Sequence, residues 1–538
     1  MQRVDLYDTT LRDGAQGEGI VFSLEDKLHI TQRLDAIGVH YIEGGWPGSN
    51  PKDAAYFLRV RDLPLKTATV AAFGSTRRAN TPPEQDVNLQ TLLAAGTKVV
   101  TLVGKSSAPQ VDQVLRTSRD ENLAMIADSI RYLREHGRRL FFDAEHFFDG
   151  YKADAAYALQ CLRAAAEAGA ETIVLCDTNG GVLPGDITTA IRAVRDAIPT
   201  PLGIHVHNDA DLAVANSLAA IEAGATQVQG TINGIGERCG NANLCSIIPN
   251  LQIKMGIRVV SGEQLAQMTE VSRFVHELAH TRGSTQQPYV GLSAFTHKGG
   301  LHADATAKWD MAYQHIDPQL VGNTRRMVAS ELSGRSNILA KAQQFGLTLS
   351  NQEAVEVLRE VKERESQGFQ YDTADASLYL LMRRRRPGYE RPFPFDQLDF
   401  FVKVDKLRRS ATDPESEVLA EAMVKFWRPG ALEPEYAADH GSGPVNALDR
   451  ALRKLLLPAV GSAALERVEL RDYRVRVVEG TDGTAAAVRV IIESGLLPDS
   501  EAQGPTTWST VGCSTNIIEA SWQALVDSYE YWMCRYAS

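Results

Sequence analysis

Over roughly the first 275 residues, short runs rich in β-branched side chains alternate eight times with longer segments of helical periodicity, which restricts the chain to a parallel α/β fold. The strand-like runs are Val4–Tyr7, Tyr41–Gly44, Thr67–Phe73, Lys98–Gly104, Arg139–Glu145, Thr172–Asp177, Leu202–His207 and Gln227–Asn233. Between them lie helix-like stretches such as Leu24–Ile37, Leu123–His136, Ala155–Gly169, Gly185–Ala197 and Ala213–Gly224, several closed by a glycine suited to a C-cap. Eight repeats fit a (β/α)8 TIM barrel over residues 1–275. A doubly wound open sheet is the alternative, but the early GxGxxG expected of one is missing.

A chain of 538 residues exceeds one ordinary core, so further domains are expected. Residues 276–395 read as a helical connecting region, and the run Arg383–Arg386 followed by Pro387, Pro392 and Pro394 reads as a solvated linker. Residues 396–538 read as a separate α+β unit. It hints at duplication, because a small-residue turn and an Asn-led helix occur at Gly443–Leu456 and again at Gly512–Tyr529. The net charge of -11 and scattered basic residues argue against a nucleic-acid partner. No apolar run reaches membrane-span length and strand-like sequence begins near Arg3, so a cytoplasmic protein without a membrane role is expected. The six cysteines lack CxxC pairing and are expected to be reduced thiols.

The strongest chemical signal is His205-Val206-His207 at the end of the seventh strand, because residues two apart on a strand share a face. In a closed barrel only the eighth strand separates the first from the seventh, which brings Asp13, just beyond the first strand, within reach of both imidazoles. Two imidazoles and a carboxylate leave positions on a divalent ion for a 2-oxo acid or water. The plain alternative for His205 and His207 alone is a hydrogen-bonded pair, and the same triad also suits iron for oxygen activation. Arg12 places a cation where charge develops on an attacked ketone, or it closes a salt bridge at the barrel mouth. Asp143 and Glu145 share a face at the end of strand five, and Thr178 ends strand six; these are candidate substrate contacts or structural groups.

The segments DTTLRDGAQ (Asp8–Gln16), HVHND (His205–Asp209) and NGIGERCGN (Asn233–Asn241) together resemble the metal-dependent acetyl-CoA acyltransferases, comprising 2-isopropylmalate, homocitrate and citramalate synthases and related to hydroxymethylglutaryl-CoA lyase. The resemblance implies Asp13, His205 and His207 as metal ligands with Asn241 near the ion, Arg12 polarising the ketone, and Glu145 and Thr178 at positions that hold the 2-oxo acid. His297–Asp304 is similar to the family's connecting segment, which implies His302 as a catalytic residue delivered from a neighbouring subunit, with Tyr313 nearby; this chain has Leu301 where isoleucine is common. GSGPVNAL (Gly441–Leu448) and WSTVGCSTNIIEASW (Trp508–Trp522) resemble the regulatory dimerisation domain. YIEGGWPGSNPKD (Tyr41–Asp53) and FDAEHFFDGY (Phe142–Tyr151) resemble the citramalate synthase branch.

What the resemblance implies is condensation of acetyl-CoA with pyruvate to citramalate and CoA, a step feeding isoleucine biosynthesis, in a homodimer inhibited by isoleucine at its C-terminal domain. The ion would be Mg, Mn, Zn or Co according to supply. Alternatives are the 2-isopropylmalate and homocitrate reactions, a retro-aldol acyl-CoA lyase, and an amino-acid-binding regulator with an inactive barrel. Phe73 and Val103 are candidates for the side-chain end of the oxo-acid site.

Overall fold

The computed structural model describes residues 3–404, 420–428, 431–478, 483–497 and 506–536. Eight parallel strands close into a barrel in chain order: β1 (Asp5–Asp8), β2 (Tyr41–Gly45), β3 (Thr69–Ser75), β4 (Val99–Lys105), β5 (Arg139–Glu145), β6 (Thr172–Asp177), β7 (Leu202–Val206) and β8 (Gln227–Gly230). The closing seam pairs β1 with β8, from Asp5 opposite Gln227 to Asp8 opposite Gly230. That pairing rules out the open sheet.

Each strand is covered on both sides, which explains its near-continuous apolar composition. Outward residues such as Ile42, Val100, Phe142, Leu175, Ile204 and Val228 join the core beneath the surrounding helices. Inward residues form layers. Tyr7, Tyr41, Ala71, Val99 and Phe141 pack into an apolar floor, with the Tyr41 and Phe141 rings edge-on at 5.0 Å. One step towards the strand ends the lining turns polar, with Glu43, Thr101, Asp143, His205 and Gln229 all buried.

The expected strands five and six match in both bounds, whereas strand eight stops three residues short of the expected Asn233. The chain turns instead through a 3-10 segment, Ile232–Gly234, in which Asn233 takes a left-handed φ of 66°. Strand seven stops at Val206, and the His207 N–H donates to the Asp177 carbonyl at 3.2 Å.

Two compact units are present, residues 1–295 with 316–325 and residues 296–315 with 326–538. In the second unit the duplication is explicit. Strands Leu398–Val404, Ala420–Phe426 and Glu435–Gly441 form an antiparallel sheet followed by helix Pro444–Val460. Strands Val468–Val477, Val488–Leu496 and Thr506–Ser514 repeat the pattern before helix Ile517–Arg535. Only the second copy is led by an asparagine cap, Asn516 accepting from the Ile518 and Glu519 amides. The first begins at Gly443 with Pro444 in the opening position, and Asn446 instead accepts from the Ser442 amide at 3.2 Å.

The arginine run is only partly the solvated linker expected of it: Arg385 and Arg386 are exposed beyond the helix, but the first half is not. Arg383 and Arg384 end helix Asp375–Arg384, and Arg384 is clamped between Asp527 (2.7 Å) and the fully buried Glu530 (2.5 Å). Arg385 pairs with Glu360. The acids that bind this cluster come from distant sequence, so local composition did not reveal it.

All six cysteines are free thiols. Among the described residues no helix is long and apolar enough to cross a membrane.

Gly230, at the end of β8, has no room for a side chain, because an added Cβ would stand 2.4 Å from the Ala242 carbonyl oxygen. Gly230→Ala is expected to destabilise the barrel by about 1 to 3 kcal/mol through overpacking. Gly181→Ala, where nothing lies within 4 Å, should leave equilibrium denaturation unchanged.

Candidate active site

The C-terminal ends of the barrel strands enclose a cavity of about 260 Å³ lined by Arg12, Asp13, Trp46, Asp143, Glu145, Thr178, His205 and His207 among others. The turn after β1 delivers Asp13. Asp8 stabilises this turn by accepting from the Thr10 amide and hydroxyl at 2.9 and 2.8 Å, while the Thr10 hydroxyl oxygen accepts from the Ile232 amide beyond β8. Burial pushes the Asp8 carboxyl up to about 7.

Asp13 Oδ2 lies 3.3 Å from His205 Nε2 and 3.8 Å from His207 Nε2, and the two Nε2 atoms are 3.3 Å apart. All three side chains are buried, and one donor atom from each falls within 4.8 Å of the others. One ligand-capable atom from each of the three side chains is thus directed at a common point. Burial opposes charge on Asp13, but Arg12 and the two histidines overcome it and hold the carboxyl well below its usual range. Burial, reinforced by the neighbouring His205, pushes the His207 imidazole down to about 4. Burial also disfavours charge on His205, and Asp13 more than offsets it, leaving that imidazole raised. Nδ1 of His207 and Oδ1 of Asn241 are buried without a hydrogen-bond partner. Asn241 is tied to the same strand end by its backbone bridge to His207, while its amide nitrogen donates to the Ile235 carbonyl at 3.3 Å. A donor set of two imidazoles and one carboxylate with free lone pairs fits a divalent cation.

Arg12 is fixed from three sides. Its Nε donates to Glu43 at 2.5 Å, its NH1 lies 3.3 Å from Asp13, and its guanidinium sits 3.9 Å from the centre of the Phe73 ring. Burial disfavours the charge, and Glu43 with Asp13 more than reverses that, so the guanidinium stays a permanent cation. Glu43 is fully buried and also accepts from Thr9 at 2.8 Å and Tyr7 at 2.5 Å. The β2 bulge at Gly44 lets the chain turn immediately after it, and Trp46 then packs edge-on against Phe73 at 5.6 Å with its indole N–H on Asn88.

Asp143 is pushed up to about 7 by burial and by Glu43, and it accepts from Gln229. Glu145 pairs with Lys105 at 2.5 Å. The Thr178 hydroxyl oxygen accepts from the His146 amide at 2.8 Å, leaving its own proton to offer into the cavity. Sequence reasoning passed over Glu43, Trp46, Lys105 and Gln229. For Glu43 the available signal was period two: it shares a face with Tyr41, which points into the barrel.

Family models match the chain along its length: HMGL-like over residues 3–275, homocitrate synthase post-HMGL domain-like over 289–368, and LeuA allosteric (dimerisation) domain over 373–533. An (R)-citramalate synthase of Geobacter sulfurreducens is 51% identical, the match covering 99% of this chain and 98% of that protein. Those of Aquifex aeolicus and Sulfolobus acidocaldarius are 47% and 43% identical, each match covering 98% of this chain and at least 97% of the relative. This chain belongs to the (R)-citramalate synthase family.

Members of the (R)-citramalate synthase family are acetyl-CoA-using condensing enzymes that depend on a metal, and this chain is such an acyltransferase. His302 and Tyr313 lie in the second compact unit, where their rings stack at 4.0 Å on an exposed surface.

Removing the Glu43 carboxylate leaves Arg12 buried with Asp13 as its one direct ion-pair partner among the described residues. Glu43→Ala is expected to cost about 3 to 5 kcal/mol in equilibrium unfolding, the range for breaking a buried ion pair. A cost below about 1 kcal/mol would mean that Asp13 alone suffices as counter-ion.

Proposed function

We propose that this enzyme joins the methyl carbon of acetyl-CoA to the ketone carbon of pyruvate, consuming water and releasing citramalate and CoA. The observation that carries this reading is the convergence of Asp13, His205 and His207 beside the fixed guanidinium of Arg12, in a chain 51% identical to an (R)-citramalate synthase over nearly its whole length.

Asp13, His205 and His207, with Asn241 beside them, would hold a divalent ion whose Lewis acidity polarises the 2-oxo acid when bound. Arg12 donates to the ketone oxygen as negative charge develops there, and Glu43 and Phe73 keep it from turning away. Thr178 donates its hydroxyl to the substrate carboxylate. Asp143 and Glu145 orient the bound acid, with Lys105 holding Glu145 in place. His302, stacked on Tyr313 and supplied by the partner copy in a homodimer, takes the proton from the acetyl methyl group. The carbanion attacks the ketone carbon, and hydrolysis of the thioester then drives the reaction forward.

Trp46, Phe73 and Val103 are the large apolar side chains lining the cavity, and in this reading they face the methyl group of pyruvate. Each additional methylene is discriminated by about 1 to 3 kcal/mol in such a wall. Steady-state thiol release is therefore expected to rank pyruvate at least 10-fold above 2-oxoisovalerate and 2-oxoglutarate in kcat/KM. Equal or reversed rates would assign a different oxo-acid.

We propose further that the C-terminal domain takes isoleucine as a feedback inhibitor, supported by its match to the LeuA allosteric (dimerisation) domain. Isoleucine should inhibit the full chain and lose its effect when residues 400–538 are deleted. A truncated protein still inhibited would move the inhibitor site to the barrel.

A further inference from the structure

We propose that Gln229 is the positioning residue that presets His205 as a metal ligand, acting through an Asp143–Gln229–His205 hydrogen-bond relay across the barrel interior. The inference rests on the metal-site reading of Asp13, His205 and His207.

Gln229 is fully buried on β8, next to β7, which carries His205. Both ends of its amide are engaged. Nε2 donates to Asp143 Oδ1 at 3.1 Å, and Oε1 lies 3.0 Å from His205 Nδ1. The placement of the amide sets the direction of the whole chain. The amide nitrogen of Gln229 lies against Asp143 Oδ1, which accepts as a carboxylate or with the proton on Oδ2. The amide oxygen then faces His205, and because that oxygen can only accept, Nδ1 must carry the hydrogen. An imidazole with hydrogen on Nδ1 keeps its lone pair on Nε2. That is the atom aimed at Asp13 Oδ2 and His207 Nε2.

The two histidines differ in this respect. Nδ1 of His207 has no hydrogen-bond partner, so no outer group orients that ring from its far side as Gln229 orients His205. Through β5 and β8 the barrel dictates only one of the two imidazoles, and His205 becomes the ligand around which the others assemble. Outer partners of this kind orient the ring and raise its donor strength.

The test uses the full-length protein stripped of metal and titrated with Mn²⁺ by calorimetry and with Co²⁺ by visible absorption. The unaltered protein should bind one ion per chain. Gln229→Leu is expected to raise the metal Kd about 10- to 100-fold and alter the Co²⁺ spectrum, whereas Gln229→Glu, which keeps an acceptor towards Nδ1, should stay within about threefold. Melting of the metal-free variants reports folding, and Gln229→Met replaces the leucine variant if that one fails to fold. An unchanged Kd for both Gln229→Leu and Gln229→Met overturns the relay, as does a Gln229→Glu variant that binds as weakly as Gln229→Leu. Asp13→Asn separates the two levels: if it binds metal like the unaltered protein, the metal-site reading itself fails; if it loses metal while Gln229→Leu does not, only the relay fails.

Discussion

Hydrogen bonding between β1 and β8 is the constraint on which the rest depends. Asp13 and the two histidines lie at opposite ends of the barrel sequence, and only closure of the sheet makes them neighbours. The seam is reinforced beyond its strand ladder. Asp8 holds the Thr10 hydroxyl, and Thr10 in turn receives the Ile232 amide, so the loop after the first strand is bound to the loop after the last. The meeting of these three side chains is thus a by-product of topology, and its precision comes from short polar links between two loop ends.

Inside that frame the electrostatics are unusual for a protein core. Glu43, Asp143 and Asp13 are all buried near one guanidinium, and a buried carboxylate is tolerated only where it is paired or proton-bearing. Glu43 and Asp13 take the first route through Arg12, and Asp143, with its pKa near 7, takes part of the second. The surplus of acid over base is what a site awaiting a dication should show. A metal reduces the mutual repulsion of the acids and thereby stabilises the fold that binds it.

Much of the barrel was legible because its strands are buried on both faces and its helices are amphipathic, so two periodicities alternate in plain sequence. The convergence of Asp13, His205 and His207 was legible for a similar reason: two histidines on one strand face and an acid at a strand end need only the topology to meet. Glu43 and Gln229 were harder to see. A polar residue inside a short apolar strand reads as pointing outward, and only the register shared with Tyr41 and Gln227 shows that it points in. The buried pairing of Arg384 was missed because its acids, Asp527 and Glu530, are more than a hundred residues away. Strand eight ended early because Asn233 adopts a left-handed turn that the glycine on either side of the loop only hinted at. His302 and Tyr313 were named by resemblance alone, since an isolated histidine on a short helix carries no pattern of its own.

The aromatic floor of Tyr7, Tyr41 and Phe141 turns the barrel into a blind well. Anything that reaches the polar layer descends from the rim and must climb back the same way. Two molecules that meet in such a well cannot pass one another, so whichever sits deeper has to arrive before the one above it and leave after it.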